Sequence, residues 1–79
     1  MTPVEIFEYK QKWMASGDNN PVTYHSDYRR YATEWCKNRL HRTQWSQKIF
    51  TAVYEDTIFF EFKEDAEKFQ NYLKKILSR

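Results

Sequence analysis

The sequence predicts a small α+β domain with the element order α-β-α-β-β-α. Three observations predict it: a length of 79 residues, which suits one domain; three segments with apolar residues at helical spacing; and three short runs rich in β-branched and aromatic residues. We therefore expect a single domain over 1–79, with an N-terminal helix, a loop over 16–21 and an α+β body over 22–79. Six phenylalanines, six tyrosines and three tryptophans supply its core.

The stretch MTPVEIFEYKQKWMASG opens with the signals of a helix start. Thr2 is a natural N-cap, Pro3 suits the first turn, and Glu5 completes a capping box three residues after the cap. Gly17 is typical of a helix that ends in a left-handed residue. The pattern predicts a helix over 3–15.

A short β-prone run, PVTYH, predicts a strand over 22–25. Ser26 or Asp27 then caps a second predicted helix over 28–41. The apolar face of this helix is formed by Tyr28, Tyr31, Ala32, Trp35, Cys36 and Leu40.

The stretch QKIFTAVYEDTIFFEF predicts two strands, over 48–54 and 57–62, with the turn at Glu55 and Asp56. The stretch KEDAEKFQNYLKKILSR predicts a third helix, because acidic residues near its start and basic residues near its end complement the helix dipole. The expected buried stripe of that helix is Ala66, Phe69, Leu73 and Ile76.

The last five elements match a ferredoxin-like unit that lacks its final strand. Right-handed crossover then places the third strand between the other two, in a three-stranded sheet packed by helices. We expect Ile58, Phe60 and Phe62 to face the helices.

Charges fall in blocks along the chain although the net charge is only +2. Residues 29–48 carry six basic groups and one acid, and residues 49–67 carry six acids and one base. The net charge is too small to imply a polyanionic partner, but such blocks influence association with other molecules.

The stretch WCKNRLHRTQW combines cations with tryptophans, a composition typical of surfaces that bind single-stranded nucleic acid. Trp35, however, lies at the centre of the apolar helix face, so we expect it in the core. Binding residues are better sought at the helix end, in the following loop and on the first helix. The partner-binding candidates are Arg39, Arg42, Trp45, Tyr9 and Trp13. The alternative nucleic-acid candidates are Arg29, Arg30, Lys37, Arg39, Arg42 and Lys48.

The cysteine and histidine pattern favours neither a metal site nor catalysis. Cys36 falls on the apolar helix face, where a thiol usually packs as a small hydrophobe. Together with His25 and His41 it lacks the spacing of zinc ligands. We expect no enzyme activity and no metal or organic cofactor. A single cysteine fits the reducing cytoplasm, and no apolar run has the roughly 20 residues that span a bilayer.

Three stretches, MTPVEIFEYKQKWM, TEWCKNRL and VYEDTIFFEFKEDAEKF, resemble short proteins encoded by tailed phages that infect cyanobacteria. The resemblance covers most of the chain and rests on general similarity. It implies a protein made in an infected bacterial cell, where such proteins often bind host machinery. We therefore expect a small non-enzymatic protein that binds a host or phage protein, with nucleic-acid binding through the basic 29–48 segment as the alternative.

Self-association is also expected, through the first helix, a sheet edge, or both. A three-stranded sheet leaves two edge strands, and unpaired edges invite another strand. Pro21 stands at the start of the first predicted strand and removes a hydrogen-bond donor there, whereas the second strand has no proline. The sequence therefore predicts a homodimer.

Overall fold

A computed structural model describes residues 1–17 and 19–78 of the chain. The elements are α1 (Pro3–Ala15), β1 (Asn20–His25), α2 (Arg29–Arg39), β2 (Trp45–Phe50), β3 (Glu55–Phe60) and α3 (Lys63–Leu77). Short 3₁₀ turns precede α2 at Ser26–Tyr28 and follow β2 at Thr51–Val53. The predicted α+β class and element order are confirmed.

The strands form one antiparallel sheet in the order β1-β3-β2. The predicted central position of β3 is therefore confirmed. Phe60, at the end of β3, lies opposite Asn20 of β1 and Trp45 of β2. Alternate side chains of β3 point to α2 and α3, and those of Ile58 and Phe60 are fully buried there, as predicted.

The hydrophobic core lies between this face of the sheet and helices α2 and α3. Its buried members are Val22, Tyr24, Ala32, Trp35, Cys36, Ile58, Phe60, Ala66, Phe69 and Leu73. The Trp35 ring centre lies 5.4 Å from that of Phe69 and 6.4 Å from that of Phe60. The predicted core position of Trp35 is confirmed.

Helix α1 begins as its capping residues predict. The Thr2 hydroxyl accepts a hydrogen bond from the Glu5 main-chain N–H, and the Glu5 carboxylate accepts one from the Thr2 N–H, both at 3.2 Å. Gly17, just beyond the helix, has a φ of 82°. Of the predicted loop over 16–21, Asp18 lies outside the described residues, and β1 already begins at Asn20.

The predicted turn at Glu55 and Asp56 is wrong. The reversal comes earlier, over Thr51–Val53 and Tyr54, and Glu55 already belongs to β3. Tyr54 adopts the left-handed conformation, with φ 55°, that glycine usually supplies. Both strands are therefore shifted toward the N-terminus from their predicted bounds, since β-prone residues fill the turn itself.

Three further details differ from the sequence prediction. Helix α2 stops at Arg39 because Leu40 is extended, with φ −121° and ψ 151°. Tyr31, placed on the apolar face by spacing, is 49% exposed. Phe62 caps α3 instead of extending β3, and 43% of it is exposed. Among the described residues, no helix has both the length and the apolar character needed to cross a membrane.

Candidate functional site

A groove of about 570 Å³ lies between α2 and α3. We name it the α2–α3 groove, and its lining residues are Trp35, Arg39, Leu40, Asp65, Lys68, Asn71, Tyr72 and Lys75. Its volume falls within the range of about 300–1,000 Å³ that is usual for ligand sites. Two helical stripes build it, since residues three or four apart lie on the same helix face.

Aromatic rings form the floor of this groove. The Trp35 and Tyr72 ring centres are 6.1 Å apart, with their planes tilted by 31°. The Arg39 guanidinium carbon lies 5.7 Å from the Trp35 ring centre, a cation–π distance. Because Trp35 is only 8% exposed and Arg39 lies over its ring, that ring offers little surface for a nucleobase to stack on.

The rim of the groove is mainly cationic. Arg39, Lys68 and Lys75 oppose one acid, Asp65. Burial raises the pKa of the Asp65 carboxyl, the nearby Lys68 lowers it, and Glu64 and Glu61 raise it further. The groove therefore presents more positive than negative charge, in contact with an apolar floor.

Sequence reasoning found Arg39 but missed the residues that α3 contributes. Asp65, Lys68, Tyr72 and Lys75 recur at intervals of three and four, so their spacing places them on one stripe. That stripe flanks the buried positions Phe69 and Leu73. The spacing is the signal that would have found the groove, once α3 is known to pack beside α2.

An ion pair whose carboxylate is buried joins the start of α2 to β3. Arg29 Nε donates to Asp56 Oδ2 at 2.6 Å, and Arg29 Nη2 donates to Asp56 Oδ1 at 2.9 Å. The Asp56 side chain is fully buried, whereas the Arg29 side chain is 39% exposed. The hydrogen bond to Asp56 raises the pKa of Arg29. Arg29, a nucleic-acid candidate from the sequence, is thus committed to a contact within this chain.

A second polar cluster continues from this pair across the sheet. Gln47 Nε2 donates to the Tyr24 hydroxyl at 2.6 Å and to Thr33 Oγ1 at 3.1 Å. These contacts tie α2 to both edge strands. Burial is the main cause that raises the pKa of Tyr24 to about 12, the hydrogen bond from Gln47 lowers it, and the Asp56 charge raises it.

Alkaline pH is expected to destabilise the fold. Burial raises the pKa of the Cys36 thiol from 9.0 to about 12, and that of Tyr24 from 10.0 to about 12. As the pH rises, the unfolded chain therefore loses these protons before the folded chain does. The contribution of the two groups to the free energy of unfolding is fully present below about pH 9 and declines toward pH 12. Each group contributes a slope of up to about 1.4 kcal/mol per pH unit.

Urea denaturation at pH values from 8 to about 11.5 measures this decline. Cys36→Ala is the control, and it should remove the part of the decline that begins near pH 9, the ordinary range for a thiol. A midpoint that does not change with pH in the wild type would contradict the expected titration.

Four of the sequence-predicted partner residues lie around the contact of α1 with the chain after α2. Trp13 is buried, and its Nε1 donates to the Thr43 carbonyl at 2.9 Å. The Lys10 ammonium lies 5.6 Å from the centre of the half-buried Trp45 ring. Burial lowers the pKa of Lys10, and the positive charge of Arg42 lowers it further.

Tyr9, the fourth of these residues, donates its hydroxyl proton to Glu61 Oε2 at 2.7 Å. This bond raises the pKa of Tyr9. Four of the five partner-binding candidates therefore lie together at one end of the sheet: Tyr9, Trp13, Arg42 and Trp45. The fifth, Arg39, lines the α2–α3 groove.

The six nucleic-acid candidates are spread over several surfaces. Arg29 binds Asp56, and Arg30 pairs with Glu34 at 3.5 Å. Lys37 is exposed on α2. The side chain of Gln47 bonds to α2, and neighbouring side chains of a strand point to opposite faces of the sheet. Lys48, the next residue, therefore lies on the face that points away from α2 and α3. Of the remaining two, Arg39 lies in the α2–α3 groove, and Arg42 lies near Lys10.

Comparison of the chain with protein-family models, with curated proteins and with solved structures finds no match. Within residues 1–17 and 19–78, no group of three or more His, Cys, Asp or Glu is placed to hold a metal ion. A functional conclusion therefore depends on the geometry and charge of the chain itself.

Proposed function

We propose that this chain is a small non-enzymatic protein that binds another protein, and that its α2–α3 groove receives an acidic segment of that partner. One observation supports the proposal most: an aromatic floor is bordered by Arg39, Lys68 and Lys75, against the single acid Asp65. A segment with an apolar side chain between carboxylates is complementary to both parts. An arginine at the rim can bind a carboxylate through two parallel hydrogen bonds.

The proposed partner is a host or phage protein in the cytoplasm of an infected cell. The resemblance to short phage proteins supports this setting, because such proteins often act by binding host machinery. Charge on the rim accelerates encounter with an acidic partner and discriminates against basic ones. Because Trp35 is largely covered, the half-buried Leu40 and Tyr72 then supply the apolar contact that a specific complex needs.

A displayed random-peptide library tests the proposal. Peptides selected on the wild-type chain should be enriched in Asp and Glu around an apolar residue. Their affinity, measured by calorimetry, should fall at least about tenfold in the double variant Arg39→Glu, Lys68→Glu, because each reversal removes an attraction and adds a repulsion.

The matched control is the double variant Lys37→Glu, Lys74→Glu. These lysines are exposed on the same two helices but do not line the groove. Equal weakening by both double variants would show a general charge effect and contradict the proposed site. Selected peptides without acidic residues would contradict it as well.

Nucleic-acid binding, the alternative, is distinguished by its salt dependence and by a further double variant. Oligonucleotide affinity would fall steeply with salt as counterions are released. We expect no binding tighter than the micromolar range at physiological salt. Sub-micromolar binding there, lost in the double variant Arg39→Glu, Arg42→Glu, would favour the alternative over the protein-binding function.

A further inference from the structure

One hydrogen bond identifies the residues of β2 whose main-chain N–H and C=O groups point away from β3, toward the free edge of the sheet. The Glu61 N–H donates to the Gln44 carbonyl at 3.0 Å, one step beyond the opposed pair Trp45 and Phe60. Hydrogen-bonded and non-bonded pairs alternate along an antiparallel ladder. The β2 residues whose main chain bonds to β3 are therefore Ser46, Lys48 and Phe50, and those whose main chain points outward are Trp45, Gln47 and Ile49. Within the described chain, no main-chain bond outside the ladders reaches this outward set.

The opposite edge of the sheet is less able to pair. The Ser26 N–H donates to the Tyr54 carbonyl at 2.9 Å, which continues the β1–β3 ladder by one step. Alternation then turns Pro21, Thr23 and His25 outward on β1. Because proline has no N–H, this edge lacks a donor that a new strand would need. β2 contains no proline and only one charged residue, Lys48.

The outward groups of β2 are complementary to those of a second copy. A two-fold axis perpendicular to the sheet keeps each side chain on its own face of the sheet. Because side chains alternate between the faces, an odd-numbered residue of β2 can only oppose an odd-numbered residue of the second copy, and an even-numbered residue an even-numbered one. With Gln47 opposite Gln47 of the second copy, Trp45 faces Ile49 of that copy. All three outward residues then form hydrogen-bonded pairs, and Lys48 faces Ser46 of the second copy rather than its lysine.

We propose that this chain forms a homodimer in which β2 pairs antiparallel with β2 of a second copy, centred on Gln47. The exposed apolar side chains at this edge support a strand partner, since Ile49 and Phe50 are 49% and 46% exposed. The pairing brings Ile49 against Trp45 of the second copy. The proposal concerns a different surface from the α2–α3 groove and is independent of the function proposed for it.

Sedimentation equilibrium at tens of micromolar tests the dimer. The wild type should sediment as twice its 9.8 kDa mass. Ile49→Pro removes one outward donor and should give a monomer with an unchanged circular dichroism spectrum. Thr23→Pro removes an outward donor on the other edge and should remain dimeric. A wild-type monomer throughout this range, or equal dissociation in both proline variants, would overturn the proposal.

Substitutions at Ser46 test the register without proline. Ser46→Glu places an acid opposite Lys48 of the second copy at two equivalent positions, and Ser46→Lys places like charges there. The dimer dissociation constant should fall roughly 2- to 30-fold for the first and rise by a similar factor for the second. Changes of the same sign in both variants would overturn the register centred on Gln47.

Discussion

Arg29→Met is expected to lower the free energy of unfolding strongly, although 39% of the Arg29 side chain is exposed. The substitution leaves the Asp56 carboxylate, which is fully buried, without the guanidinium that binds both of its oxygens. Breaking a fully buried ion pair costs about 3–5 kcal/mol, because an uncompensated charge remains in the interior. The partial exposure of Arg29 places this pair toward the lower end of that range. Urea denaturation monitored by tryptophan fluorescence measures the loss.

Arg30→Met, at the next position, is the matched control. Arg30 contacts Glu34 at 3.5 Å, and both side chains are largely exposed. An exposed pair of this kind contributes about 0–1 kcal/mol. If Arg29→Met and Arg30→Met proved equally stable, the buried ion pair would have no special role in stability.

The double variant Arg29→Met, Asp56→Leu separates the two possible causes. When both charges are replaced by apolar groups of similar volume, stability is often unchanged or improved. We therefore expect the double variant to be more stable than Arg29→Met alone. A double variant that is even less stable would indicate that shape, rather than the unpaired charge, dominates the effect.

Much of the fold was predictable because its determinants are local. The capping box of α1 lies within four consecutive residues, and its helix has the predicted bounds 3–15. The sheet order follows from a split β-α-β arrangement, in which the hairpin of β2 and β3 places β3 between the two parallel strands that α2 connects. The buried stripe of α3 is also local, since helical spacing alone selects Ala66, Phe69 and Leu73.

The position of β3 was not predictable from local signals. The run TAVY has the composition of a strand, yet the β2–β3 ladder closes at Phe50 opposite Glu55, so this run must form the turn. In the sequence, the acidic pair Glu55-Asp56 has the composition of a solvent-exposed turn. The burial of Asp56 depends on Arg29, which is 27 residues away in the sequence, and no local pattern contains such a contact.

In the candidate site too, local sequence signals indicate some residues, and only tertiary packing reveals the others. The position of Arg39 at the end of a basic helix indicates a binding residue, and Arg39 lines the groove. Lys68 and Lys75 belong to a separate helix, and only the packing of α3 against α2 brings them near Arg39. The stripe on α3 is visible in the sequence, but its neighbour is determined by tertiary structure.

Trp35→Ala is expected to be among the most damaging changes in the core, with a loss of about 3–5 kcal/mol. The ring packs against Phe60, Phe69 and Tyr72 at centre-to-centre distances of 5.4 to 6.4 Å. Its removal would leave a cavity where α2, α3 and β3 meet. A domain of 79 residues has a small stability margin, since short chains bury a smaller fraction of their surface. We therefore expect extensive unfolding at moderate temperature.

Tyr31→Ala is the control for Trp35→Ala, because it removes an aromatic ring from the same helix at a position that is 49% exposed. It should change the free energy of unfolding by less than about 1 kcal/mol, since surface substitutions usually have small effects. Thermal melting followed by far-ultraviolet circular dichroism compares the two variants. A Trp35→Ala protein that melts within a few degrees of the wild type would show that the ring is not part of the core, and would make its face available to a ligand in the α2–α3 groove.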